Sequence, residues 1–141
     1  TGLGRAFAEI LLADGVRVWG TSRDTARLAS LAAKHPDNFT AVALDLRDAT
    51  AAVAAFRAAE KEAGGFDVVV NNAGYGQGES FFEMRRESWD LSYALNVRAV
   101  AIAMQFAGRA MKERGCGRII NVTSPASRMA LPPNFTTTTF W

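Results

Sequence analysis

Phe66-Asp67-Val68-Val69-Val70-Asn71-Asn72-Ala73-Gly74 is the stretch on which the fold turns. An apolar run of strand length, residues 66–70, passes directly into two amides and two small residues. Two amides in series can lock neighbouring strand ends, while Ala73 and Gly74 leave room for a planar ligand. On either side of this stretch, short β-branched runs alternate with longer Ala-rich segments of helical period. That alternation predicts βαβ units and an α/β fold with a doubly wound parallel sheet. Upstream, residues 5–14 carry Phe7, Ile10 and Leu11 at helical intervals and meet Gly15, which suits the left-handed position after a helix. Residues 16–20 read as a strand. Residues 25–34 form a short helix stopped at His35-Pro36, because proline pushes the preceding residue out of the helical region. Residues 39–44 read as the next strand. Asp48 can cap a helix to about Ala63, with Val53 and Phe56 on its buried side and Gly64-Gly65 ending it. Downstream of a glycine-rich loop at 74–78, Trp89, Tyr93, Val97, Val100, Met104, Ala107 and Met111 recur every three or four residues. This spacing predicts a long helix with that stripe buried. Gly115 and Gly117 close the helix, and residues 118–123 read as the last strand.

Composition bounds the function. The chain has 141 residues, 49% hydrophobic and 21% charged, ordinary globular values at single-domain length. Charged residues interrupt every apolar stretch well before the roughly 18 residues a membrane span requires. Sixteen Lys and Arg stand against fourteen Asp and Glu, spread without a basic stripe, so nucleic acid is a poor partner. One cysteine, Cys116, and one histidine, His35, are too few for a tetrahedral N/S metal site, and a lone thiol ties the chain to no oxidising compartment. A cytoplasmic setting is expected. The chain starts at Thr1 without an initiating Met, and residues 1–135 read as one nucleotide-binding domain. Residues 136–141, a four-threonine run and Phe140-Trp141, are expected to be a tail left by truncation or frame shift.

Ligands of a doubly wound sheet bind outside the carboxyl ends of its strands, so the residues following each strand carry the function. Gly2-Leu3-Gly4 opens the first helix, where unpaired N–H groups favour a phosphate and missing side chains admit a pyrophosphate. By itself a Gly-x-Gly is equally well explained as an eased turn. With Asn71-Asn72-Ala73-Gly74, however, the chain resembles the short-chain dehydrogenase/reductase family, in a form lacking the first strand. Thr1-Gly2-Leu3-Gly4 resembles the second half of that family's T-G-x-x-x-G-x-G loop, and Asp45-Leu46 its acidic residue at the adenine. Asn71, Ala73 and Gly74 belong to its cofactor-binding set. Asn96, in Leu95-Asn96-Val97, resembles its active-site asparagine, and Ser124, in Asn121-Val122-Thr123-Ser124, its active-site serine.

The resemblance implies a Rossmann-like NAD(P)-binding fold and hydride transfer between a nicotinamide and a small alcohol or carbonyl substrate. It implies that Ser124 hydrogen-bonds the substrate oxygen and that Asn96 holds a water in a proton relay. Alternatively, Asn96 only satisfies a local kink in the helix. A homodimer or homotetramer is also implied, although core packing explains the apolar stripe of the long helix equally well. Cofactor choice has its own physical argument. A carboxylate at the end of the second strand would bond the ribose hydroxyls and repel a 2′-phosphate. Ser22 and Arg23 stand there instead, a hydroxyl and a guanidinium suited to a phosphate dianion, so NADP(H) is favoured over NAD(H). The alternative is that Arg23 is a solvated turn charge and Asp24 caps the next helix.

One pair is missing. The family's general acid/base is a tyrosine followed four residues later by a lysine. Here Glu79 lies four beyond Tyr75, Val97 four beyond Tyr93, and Thr137 occupies the place thirteen residues after Ser124. As given, the chain is therefore expected to be inactive. A catalytically dead nucleotide-binding relative, regulatory or scaffolding, is the competing reading.

Overall fold

The computed structural model describes residues 2–76 and 81–124; Thr1, residues 77–80 and residues 125–141 lie outside the description. Gly2 enters helix α1, Leu3–Ala13, at φ +74°, a left-handed conformation open to glycine at no steric cost. Its carbonyl accepts from the backbone N–H of Arg5 and Ala6, both at 3.2 Å. Strand β1 spans Val18–Ser22, two residues later than the apolar run suggested. The cause is local: Val16 N–H turns back to the Leu11 carbonyl at 3.0 Å, closing the helix end, and the ladder starts only where Val18 N–H reaches Asn38 O.

Residues 25–34 divide into a 3-10 turn, Thr25–Leu28, and helix α2, Ala29–Lys34. Asp24 Oδ1 accepts from Ala26 N at 3.0 Å, the cap that belongs to the alternative reading of Arg23-Asp24. Strand β2, Phe39–Ala43, runs parallel to β1 with Val18 opposite Phe39 and Ser22 opposite Ala43. Leu12, Leu31 and Phe39 form the core against which Ala8, Val18, Leu28, Ala32 and Ala41 pack. Helix α3, Ala49–Ala63, is capped by Asp48 Oδ1, which accepts from Thr50 N and Ala51 N at 2.9 Å, and it ends at Gly64 with φ +74°. Ala52, Ala59 and Ala63 are its buried residues, while Val53 and Phe56 are only half-buried.

Strand β3, Val68–Asn71, runs parallel to β4, Arg118–Asn121, with Val68 opposite Arg118 and Asn71 opposite Asn121. Helix α4, Arg86–Tyr93, continues through a π turn, Ala94–Arg98, into α5, Ala99–Arg114, which packs on both strands. The expected apolar stripe is corrected here. Tyr93 is 52% and Met104 41% exposed, and the buried line runs instead through Ser88, Ser92, Asn96, Ala99, Ala103, Ala107 and Met111. Over most of its length that line lies one residue before the stripe. A helix meets a sheet most closely along its small side chains, and the wider π turn lets positions nearly four apart stay on one face. The chain divides between Gly64 and Gly65 into two compact units. The described strands are parallel in each unit, as the alternating pattern demands.

Candidate functional site

In the first unit the carboxyl ends of β1 and β2 carry Ser22 and Leu44, the latter donating its N–H to Ser22 O at 2.9 Å. The residues that follow these ends converge. Ser22, Arg23, Asp24, Arg27, Asp45 and Arg47 line an open cavity of about 430 Å³. Three of the residues singled out from sequence, Ser22, Arg23 and Asp45, therefore meet in one place. Leu46, half-buried, is not in the lining.

The side chains at the rim are ordered by their own turns. Ser22 Oγ donates to Asp24 O at 2.8 Å and accepts from Asp24 N at 3.2 Å. Asp45 closes a similar turn, accepting from Arg47 N at 3.0 Å. The Arg47 guanidinium returns to the same carboxylate, Nε lying 2.9 Å from both oxygens and Nη2 bonding Oδ2. These bonds from the Arg47 side chain, then from its backbone N–H, hold the Asp45 carboxyl at a pKa of about 2, and the Arg23 charge adds to the same effect. The pairing in turn raises the Arg47 guanidinium's pKa. Arg27 and Arg47 were not anticipated from sequence. The signal available was spacing: Arg47 lies two residues after an Asp that ends a strand, where an Asx turn brings it back.

At the start of α1, Gly2 has open space where a Cβ would project. Backbone N–H groups at a helix start, with nothing standing over Gly2, fit a pyrophosphate. The guanidiniums of the cavity are groups of the kind that bind a phosphate, and two carboxylates, Asp24 and Asp45, share their lining. Thr1 lies outside the described residues.

In the second unit Asn71 and Asn121, opposite each other at the ends of β3 and β4, are joined by Asn71 Nδ2 donating to Asn121 Oδ1 at 2.8 Å. Of the two amides in series, Asn71 thus ties its strand end to the neighbouring one through Asn121. Val122 N–H extends the ladder to Asn71 O at 2.9 Å, and Ser124 follows, half-buried. Asn96, only 3% exposed, sits inside the π turn. Its Oδ1 accepts from Tyr75 N at 2.8 Å, and its Nδ2 donates to Tyr75 O at 2.8 Å and to Ser92 Oγ at 3.2 Å. Gly74 is exposed, and a Cβ there would stand 3.6 Å from Asn96 Oδ1. Ala73 is exposed beside it. The helix is thus irregular at Asn96, but its amide serves the loop after β3 and not the helix's own backbone. Ser92, one helical turn earlier, was hidden from sequence reading by the apolar stripe beside it.

Among the described residues, no group of three His, Cys, Asp or Glu could hold a metal ion, and no helix is long and apolar enough to cross a membrane.

Comparison with known proteins places these features in context. A family model described as short chain dehydrogenase matches residues 1–136. D-erythrulose reductase from Gallus gallus is 40% identical over 131 residues, covering 92% of this chain and 51% of that protein. The solved structure of a short-chain dehydrogenase from Streptomyces avermitilis superposes with a TM-score of 0.91 at 32% identity, covering 95% of this chain and 50% of that one. A metagenomic short-chain oxidoreductase in complex with NADP superposes with a TM-score of 0.78 at 28% identity, covering 84% of this chain and 56% of that one. The chain spans about half the length of the curated relatives it matches.

Proposed function

Because the chain belongs to the short-chain dehydrogenase family, we propose that it is the nucleotide-binding part of an NADP(H)-dependent oxidoreductase acting on a small alcohol or carbonyl compound. The observation that carries this reading is the end of β1, where Ser22 and Arg23 occupy the place of an NAD site's ribose-binding carboxylate, in a cavity that Asp24, Arg27, Asp45 and Arg47 also line. A relative named for reducing D-erythrulose and a structural neighbour bound to NADP support it. In this reading residues 1–135 act as one domain, in a cytoplasmic homodimer or homotetramer.

When bound, the nicotinamide supplies hydride exchange with the substrate carbon. The chain's own residues bind and orient. Gly2, Leu3 and Gly4 take the pyrophosphate at the start of α1, with Thr1 beside them, and Ser22 and Arg23 take the 2′-phosphate. Asp45-Leu46 border the adenine, and Asn71, Ala73 and Gly74 form the floor after β3. Ser124 donates to the substrate oxygen, where a hydrogen bond aimed at developing negative charge lowers the barrier. Asn96 holds the loop through the backbone of Tyr75. Its Oδ1 keeps a second lone pair for a relay water.

A second reading, nucleotide binding without turnover, takes Thr137 as standing where the family resemblance expects the tyrosine, thirteen residues after Ser124. Both readings require the same cofactor pocket. Fluorescence titration of the 141-residue chain with NADPH and with NADH tests it. We expect NADPH to bind at least about tenfold tighter, the effect of one added charge-assisted contact. Tighter binding of NADH, or of neither, overturns the cofactor assignment.

A further inference from the structure

The cavity after β1 and β2 contains a feature that phosphate recognition alone does not explain. It holds three guanidiniums, Arg23, Arg27 and Arg47, but also two carboxylates, Asp24 and Asp45. A phosphomonoester carries close to two negative charges at neutral pH and would be repelled by a bare carboxylate in the same space. Asp24 is turned to the start of the 3-10 turn, where its Oδ1 accepts from Ala26 N. Asp45 is covered differently, its two oxygens taken by the Arg47 side chain and one of them also by the Arg47 backbone N–H.

We infer that Arg47 and Arg27 are specificity-determining residues for the phosphorylated cofactor, acting in different ways. Arg47 masks the Asp45 carboxylate so that a phosphomonoester can share its cavity, and Arg27 supplies the second guanidinium beside Arg23. The charge balance supports both halves. With three guanidiniums against two carboxylates the lining is net positive, and loss of either arginine leaves it neutral. Geometry separates the two roles. Arg47 is tied to Asp45 at both oxygens, so its charge is spent locally, whereas Arg27 lies three residues from Asp24 in the turn that Asp24 caps. A hydroxyl pair on an unphosphorylated ribose carries no charge and should be nearly indifferent to either arginine. This inference rests on the cofactor assignment above and goes beyond it by naming what makes Asp45 tolerable.

The test titrates NADPH and NADH into the wild-type 141-residue chain and into Arg27→Ala, Arg47→Ala and the double variant Asp45→Asn/Arg47→Ala. Arg27→Ala should weaken NADPH about tenfold, the size of one exposed charge-assisted contact, Arg47→Ala should weaken it about as much by baring the Asp45 carboxylate, and both should change NADH less than about twofold. Removing the carboxylate should then restore the NADPH-to-NADH affinity ratio in the Arg47→Ala background, a ratio from which any loss at the adenine common to both cofactors cancels. If Arg47→Ala weakens both cofactors equally, Arg47 touches their shared adenosine part and the masking role is wrong. If Asp45→Asn gives no rescue, the masking role is also wrong. A wild-type chain that prefers NADPH while Arg27→Ala and Arg47→Ala leave the preference unchanged overturns this inference alone. A wild-type chain that prefers NADH, or binds neither, overturns the cofactor assignment beneath it. All three substituted residues are half-buried or exposed, and far-UV circular dichroism checks each variant's fold. A variant that loses its helical signal is replaced by the corresponding glutamine substitution.

Discussion

Replacing Asn96 by alanine should open the loop after β3. The side chain makes three hydrogen bonds, to Tyr75 N, Tyr75 O and Ser92 Oγ, at 2.8, 2.8 and 3.2 Å, from a position only 3% exposed. Each such bond is worth about 1 kcal/mol net, so the loss is about 3 kcal/mol. That is a large fraction of the 5–15 kcal/mol by which domains are typically stable. With a urea slope of about 2 kcal/mol/M, the unfolding midpoint should fall by about 1.5 M. Hydrogen exchange at the Tyr75 amide supplies the local readout, since that N–H loses its acceptor. Asn96→Asp sharpens the argument because it changes shape very little. An aspartate keeps an acceptor for Tyr75 N–H but, when ionised, turns an oxygen toward Tyr75 O, a carbonyl that can only accept. Burial and that carbonyl favour the protonated acid, which raises the folded-state pKa above the unfolded one. The variant should therefore be most stable below the unfolded carboxyl pKa and lose stability as pH rises through the folded one. A midpoint shift under about 0.3 M for Asn96→Ala, together with unchanged exchange at Tyr75, would refute the role of the amide as a clamp.

Two further outcomes follow from the geometry. Asp45 should titrate near pH 2 by carbon-detected NMR, and Arg47→Ala should return it toward 3.8. Because its folded pKa is depressed, the stability this pair contributes is present above the unfolded value and lost as pH falls through about 2; an unshifted Asp45 in the wild-type chain would contradict the pairing. Gly20→Ala would place a Cβ 2.7 Å from the Phe39 ring, a residue of the core, and should cost about 1–3 kcal/mol in a urea titration; a neutral result would mean that the ring can move aside.

The sequence was most legible where a residue's role depends on its chain neighbours. Asp48 and Asp24 cap the turns that follow them, and Gly64 and Gly115 end helices at φ +74°. In each case the partner is a backbone group a few residues away. Strand starts were less legible, as β1 shows, because a ladder begins where its partner strand lies and not where apolar residues begin. The buried face of the long helix was missed for a related reason. Hydrophobic periodicity ranks side chains by their aversion to water, but α5 packs on its strands with alanines as most of its buried residues.

The candidate site divides along the same line. From the sequence alone come the alternating βαβ pattern, the glycines at the first helix, Ser22 and Arg23 at a strand end, and Asn96 and Ser124 as residues to examine. These follow from local spacing and from a resemblance carried by short motifs. Only the tertiary structure decided that the Asp45–Arg47 turn shares a cavity with Arg23 and Arg27, that Asn71 reaches Asn121, and that Asn96 grips Tyr75. The Asn71–Asn121 and Asn96–Tyr75 contacts join residues 50 and 21 positions apart, and the cavity brings together the ends of two separate strands. Local propensity carries no information about such distances, and sheet register together with helix packing supplies it.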